Sequence, residues 1–359
     1  MKPKQLLTLR GIPTLPALSA DGWEETRQTL IETLLREEYG RDLPEPEALF
    51  FEEEEQTKPE SRFAAGLAPL RRVWAVGTLC GRPFRFPCVA MIPTGEGPYP
   101  FFVLNNFHAE VPNRYFPAEE IANKGFAVFS LFYKDVTSDD GDFTDGLAGC
   151  LYPDGIRRNA DDPGKIVMWA WANRRVLDYA LRLPQIDGEN AAVIGHSRLG
   201  KTALVTAMLD TRFRYAAAND SGCSGDALSR GNIGEQISDI TRRFPYWFCE
   251  NYKRYADTAP ATFDQHMLLA AIAPRTVMTG AAVEDTWADP DSQYLSMVAA
   301  SGAWESLGLR GFVAPERMPR VGDDFRQGDL CYHLREGGHY LSRADWNVYL
   351  SVIREKMGK

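Results

Sequence analysis

Gly195-His196-Ser197-Arg198-Leu199-Gly200-Lys201 follows the apolar run Ala191-Ala192-Val193-Ile194 and leads into Thr202-Ala203-Leu204-Val205-Thr206-Ala207-Met208. The first run reads as a short buried strand, the glycine-flanked centre as a tight turn, and the last segment as a helix, with a serine at the apex. A turn of this kind lifts the serine oxygen above the sheet and aims the first helical N–H groups at charge developing nearby. The stretch departs from strict G-x-S-x-G, because Leu199 stands where the second glycine is expected and Gly200 comes one residue later. Strand–Gly–Ser–helix junctions also arise for packing reasons, so a nucleophile reading requires a histidine and a carboxylate elsewhere in the chain.

Outward from this turn the pattern alternates. Phe101-Phe102-Val103-Leu104 and Phe126 to Leu131 are continuous apolar runs, as expected of central strands covered on both faces. Gly164 to Leu183 reads as a long helix. Beyond the turn come a strand at Tyr215 to Ala218, another at Arg275 to Gly280, a helix at Ser292 to Leu307, a last strand at Leu330 to Leu334 and a closing helix at Ala344 to Met357. Strands alternating with helices imply a mainly parallel sheet flanked by helices, a three-layer α/β sandwich. Upstream, Arg71 to Met91 has the look of a β hairpin. Trp23 to Tyr39 has helical spacing and ends at Gly40, a natural stop. We therefore expect an N-terminal helical extension over residues 1–60, packed on a catalytic domain over 61–359.

The 359 residues carry a formal net charge of −9, which speaks against nucleic acid or an anionic membrane as partner. Glu52-Glu53-Glu54-Glu55 is expected to be a solvated turn or helix end. No stretch reaches the roughly 18 apolar residues that span a bilayer, and the first ten residues lack a signal-peptide core. The expectation is a cytoplasmic, monomeric protein, or a secreted one if a leader was removed. Six dispersed cysteines without a C-x-x-C pair form no metal pattern and are expected to be free thiols. Neither cofactor nor metal is implied.

A serine hydroxyl needs a base within hydrogen-bond reach. The chain has five histidines, and His339 in Arg335-Glu336-Gly337-Gly338-His339-Tyr340 suits the role, because two glycines let the loop carry an imidazole back over the serine. His333 lies inside a strand and is expected to be packed, His196 to point into the structure, and His266 to be structural or substrate-facing. For the acid there are two candidates, each after a strand: Asp285, in Glu284-Asp285-Thr286-Trp287-Ala288-Asp289-Pro290, and Asp220. We favour Asp285, with Asp220 as the alternative. Asp289, preceding a proline, is expected in an extended turn. Ser197, Asp220, Asp285 and His339 all follow strand ends, so they converge on one rim.

The elbow and the order serine, acid, histidine resemble the α/β-hydrolases. More specifically, the chain from about Trp23 onward resembles the bacterial glucuronoyl esterases of carbohydrate esterase family fifteen. The likeness is carried by G-x-S-R-x-G-K at Gly195 to Lys201, Asp220-Ser221-Gly222-Cys223-Ser224-Gly225, Gly234-Glu235 and Phe244-Pro245-Tyr246-Trp247-Phe248. Asp264-Gln265-His266, Ala273-Pro274-Arg275, Trp287-Ala288-Asp289-Pro290 and Gly338-His339 continue it in order. The resemblance implies hydrolysis of the ester between a (4-O-methyl-)glucuronic acid group of xylan and a lignin alcohol. It assigns Arg198 to the oxyanion and Lys201, Glu235 and Trp287 to the sugar. A guanidinium beside the nucleophile adds charged donors, and an indole offers a flat face to a pyranose. Where fungal members carry a catalytic Glu shortly after the serine, this chain has the shorter Asp220, which is why Asp285 is preferred. Two other readings compete: an acetyl-xylan or other carbohydrate carboxylesterase, and a non-catalytic glycan-binding relative.

Overall fold

The structure is a computed structural model that describes residues 1–16, 19–54, 63–260 and 262–358. Its strands are β1 (Ala48–Glu53), β2 (Leu70–Leu79), β3 (Arg82–Met91), β4 (Tyr99–Asn106), β5 (Ala127–Phe132), β6 (Ile186–His196), β7 (Tyr215–Asn219), β8 (Thr276–Ala282), β9 (Asp324–Phe325) and β10 (Leu330–Arg335). They form one sheet in the order β1-β2-β3-β5-β4-β6-β7-β8-β10-β9. From β5 to β10 the neighbours run parallel, while β1, β2, β3 and the short β9 are antiparallel additions at the two edges.

The helices are α1 (Pro3–Leu9), α2 (Trp23–Leu34), α3 (Ala118–Asn123), α4 (Gly146–Leu151), α5 (Lys165–Ala180), α6 (Arg198–Leu209), α7 (Ile237–Arg243), α8 (His266–Ala270), α9 (Pro290–Ser306) and α10 (Arg343–Lys356). Alternation along the central strands divides the core into two. Phe101, Val103, Ala191 and Val193 pack with Trp169 and Trp171 of α5, the inner side of α6 and Trp304 of α9. Phe102, Leu104, Ala192 and Ile194 face the other way, onto Ile121 of α3 and Trp346 and Tyr349 of α10. Every residue of β4, β7 and β8 is buried. That is why these strands read as unbroken apolar runs, whereas β2, covered on one face, alternates. The expected three-layer α/β architecture is therefore the one found.

Three local expectations change. The segment before residue 60 is not wholly helical: β1 pairs along β2 as the edge strand of the main sheet. Glu52 and Glu53 of the acidic run belong to β1, where Glu52 meets Arg85 at 3.3 Å and Glu53 meets Arg71 at 3.8 Å. Both side chains stay exposed to solvent, as expected, but from an edge strand and not from a turn or helix end; Glu55 and the boundary at 60 lie outside the described residues. The helix from Trp23 is α-helical only to Leu34 and continues as a π turn, Leu35–Tyr39. Gly40 ends it at φ 90°, and a Cβ there would run into the backbone of Asp162 and Pro163. Widening the last turn swings Glu38 and Tyr39 fully inside. All six cysteines are free thiols, Cys80 alone of them exposed.

Candidate active site

β6 ends at His196, and α6 begins one residue after Ser197. Ser197 has φ 56° and ψ −127°, a strained conformation for a residue with a Cβ, costing about 1–3 kcal/mol that the surrounding packing must offset. Gly195 makes the turn possible, since a side chain there would collide with the Leu199 carbonyl. The displaced second glycine also has a physical reason. Leu199 is fully buried, whereas a Cβ at Gly200 would lie 2.9 Å from Ser221 Cβ, so the close approach of α6 to the strand end after β7 falls at position 200.

The loop after β10 brings His339 to the same rim. Two backbone bonds run it alongside the loop after β8: Val283 N–H donates to Arg335 O at 2.9 Å and Glu284 N–H to Gly337 O at 3.0 Å. Across this seam His339 Nδ1 lies 2.6 Å from Asp285 Oδ2. Asp220 is close by, but its hydrogen bonds go elsewhere. Its Oδ1 accepts from Ala282 N–H at 3.0 Å, and its Oδ2 lies 3.4 Å from both Arg335 Nη2 and Tyr340 N. Burial, and then the neighbouring Asp285 carboxylate, push the Asp220 carboxyl well above its ordinary range. The structure thus sets Asp285, not Asp220, against the imidazole. Asp220, Asp285 and His339 have donor atoms within 4.8 Å of one another, a spacing that could also suit a cation, but the Arg335 guanidinium already holds the cationic place beside Asp220.

His196 forms the floor under the imidazole. Its ring centroid is 4.4 Å from that of His339, and its Nδ1 is 2.7 Å from Asn219 Oδ1. Burial lowers its pKa to about 3, so it supports the second imidazole as a neutral ring without adding charge. His333 is packed in β10 with its Nε2 2.8 Å from Asp345 Oδ1. His266 is fully buried at the start of α8 and does not line the cavity that holds Ser197 and His339.

A cavity of about 350 Å³ is lined by Ser197, Arg198, Lys201, Asp220, Glu235, Asp285, Trp287 and His339, so the residues given catalytic or sugar-binding roles in the sequence analysis meet in one place. Lys201, nearly buried, donates from Nζ to the Ser221 carbonyl. That loop is held by the buried Asp226, whose carboxylate accepts from Ser221 Oγ, from Gln293 Nε2 at 2.8 Å and from Thr279 Oγ1 at 2.9 Å. Glu235 N–H donates to Trp287 O at 2.9 Å, which fixes the acid and the indole side by side. Trp287 is 47% exposed at the mouth. Sequence reasoning gave no role to Arg243, Phe244 and Trp247, which also line the cavity; the motif containing the last two was visible, but nothing in it shows which way the rings point. Asp289 is not extended. It sits at φ 55°, because its side chain caps α9 through Ser292 N–H at 3.1 Å and also accepts from Ile233 N–H at 3.0 Å.

A serine on a strand–helix elbow, followed along the chain by an acid-paired histidine at the rim of a mostly parallel sheet, defines the α/β-hydrolase class. A family model described as glucuronyl esterase, fungi, matches residues 81–308, and a carbohydrate esterase, MZ0003, from an unknown prokaryotic organism is 36% identical over 241 residues. The chain belongs to the glucuronoyl esterase family. A 4-O-methyl-glucuronoyl methylesterase of Podospora anserina is 30% identical over 229 residues, 60% of this chain. The match to the first relative covers 67% of this chain, and the chain spans about half the length of either relative, 55% and 45%. A solved glucuronoyl esterase from Solibacter usitatus superposes with a TM-score of 0.85 at 26% identity, covering 96% of this chain and 97% of that one.

Proposed function

We propose that the chain is a serine ester hydrolase that cleaves esters of glucuronic acid, of the kind joining 4-O-methyl-glucuronic acid groups of xylan to lignin alcohols. The observation that carries this reading is the His339–Asp285 contact in a cavity that also holds Ser197, Lys201, Glu235 and Trp287. An acyl-transfer apparatus opens there directly onto groups that suit a sugar.

In this reading Ser197 Oγ attacks the ester carbonyl while His339 Nε2 takes its proton. Asp285 on Nδ1 fixes the tautomer and offsets the imidazolium charge. The N–H of Arg198 at the start of α6, together with its guanidinium, stabilises the oxyanion. His339 returns the proton to the departing alcohol, and a water activated by the same imidazole then cleaves the acyl-enzyme and frees the glucuronate. Lys201 donates to sugar hydroxyls, Glu235 accepts from them, and Trp287 stacks on the ring.

The test compares specificity constants for benzyl glucuronate and an aryl acetate, with Ser197→Ala as the blank. We expect glucuronate to be strongly preferred and the blank to lose about 10⁴- to 10⁶-fold in turnover. Galacturonate should be the poorer uronate, because an inverted hydroxyl leaves a buried partner unpaired at roughly 1–3 kcal/mol. Equal constants for glucuronate and acetate would move the reading to an acetyl-xylan or general carbohydrate carboxylesterase. A Ser197→Ala variant retaining a tenth of the activity would remove the nucleophile.

A further inference from the structure

The loop between β5 and α4 carries a carboxylate that the reaction scheme does not use. Asp139 is almost fully buried, and its two oxygens are occupied by three donors from three parts of the chain. Oδ1 accepts from Trp247 Nε1 at 2.7 Å, while Oδ2 accepts from Tyr133 OH at 2.8 Å and from Arg198 Nη1. Its main-chain carbonyl accepts from Tyr246 OH at 3.0 Å.

The Arg198 guanidinium is correspondingly confined. Its Cζ lies 4.5 Å from the centre of the Trp247 ring and 5.1 Å from that of Phe244, so aromatic rings fix its plane and Asp139 fixes one edge. The loop behind Asp139 is rigid in turn. The buried ammonium of Lys165 donates to Ser138 O at 2.8 Å, Ser138 Oγ at 2.7 Å and Asp142 O at 2.5 Å, and Asp145 accepts from Thr137 Oγ1 at 2.9 Å.

We propose that Asp139 is the positioning residue of the oxyanion site, holding the Arg198 guanidinium in the orientation it uses against the developing charge. This rests on the ester-hydrolase reading above. Donors stabilise a transition state most when they need not reorient during the reaction, and an arginine on a long stem is held still only by a fixed acceptor and a stacking surface. Asp139 and Trp247 supply both. Asp139 touches neither the serine nor the histidine, so its effect passes through Arg198 and falls on turnover more than on substrate affinity.

A double-mutant cycle in the intact chain tests this, reading kcat and KM on benzyl glucuronate for the wild type, Asp139→Asn, Arg198→Gln and the double variant. Asp139→Asn is expected to lower kcat about 10- to 100-fold with KM within about threefold. In the Arg198→Gln background the same change should cost less than about twofold, because the group it positions is gone. Equal losses in both backgrounds, or a kcat for Asp139→Asn within twofold of wild type, would overturn the proposal. Should Asp139→Asn fail to fold, Tyr133→Phe removes one donor to the same oxygen. It should lower kcat a few-fold only while Arg198 is present, and an unchanged kcat would overturn the assignment equally. A wild type that hydrolyses the acetate but no glucuronate defeats the substrate reading alone, and the same cycle run on the acetate then decides the role of Asp139. A wild type that hydrolyses neither ester defeats both.

Discussion

Two carboxylates flank one imidazole, and their hydrogen bonds tell them apart. Asp285 accepts at His339 Nδ1, whereas the Asp220 oxygens are committed to Ala282 N–H and to the neighbourhood of Arg335 and Tyr340. Asp285→Asn should therefore cost about 10³-fold or more in turnover, as removal of a triad acid does. Asp220→Asn keeps one acceptor oxygen for the Ala282 N–H and should cost roughly tenfold through a loosened loop. Both variants are best compared at one common pH. The reverse ranking would make Asp220 the acid. Both acids were legible in the sequence as residues after strands. The choice between them was not, since it depends on how two loops lie against each other across the ends of β8 and β10.

Among the elements, the π turn at Leu35–Tyr39 has the clearest energetic consequence. It carries Glu38 into the core, where Gln265 Nε2 donates to its two oxygens at 3.0 and 2.9 Å. Burial raises the Glu38 pKa from 4.5 to about 8. The folded chain then keeps a proton that the unfolded chain releases above pH 4.5, so the unfolded state binds fewer protons and stability falls as pH rises from about 4.5 towards 8. Between pH 5.5 and 7.5 this one group accounts for up to roughly 2–3 kcal/mol. Glu38→Gln removes the titration, so melting curves of the two proteins should differ in pH dependence, with the variant gaining ground on the wild type as pH rises. Parallel pH profiles would show that Glu38 titrates normally. The helical spacing from Trp23 to Tyr39 announced a helix. The extra residue in its last turn left no trace in that spacing, because the Glu38–Gln265 contact that goes with it spans 227 positions.

At the scale of the whole molecule, the readable features were those that repeat locally. Unbroken apolar runs marked β4, β5 and β7, and the glycine-flanked serine marked the elbow. β1 was missed because its two inward positions, Leu49 and Phe51, are too few to establish a period beside an acidic run. Asp139 was missed because it acts at a residue 59 positions away, and no pattern in the sequence links the two. Asp289 defied its proline neighbour because three hydrogen-bond donors outweigh one backbone preference.

Lys165, beneath the loop that carries Asp139, has a consequence for the chain's dependence on its surroundings. A dissolved ion bridging carbonyl and carboxylate oxygens stabilises a fold only as far as its concentration exceeds its dissociation constant. The Lys165 ammonium does similar bridging among Ser138, Asp140 and Asp142 from the end of a covalent tether. It cannot be diluted, chelated or exchanged. Its occupancy is fixed by folding alone, so the melting temperature is expected to stay the same whether a chelator or millimolar calcium is present. A rise of several degrees with calcium would mean that the tethered charge leaves room for a free one. The loop that supports Arg198 is built to hold its shape whatever the ionic supply.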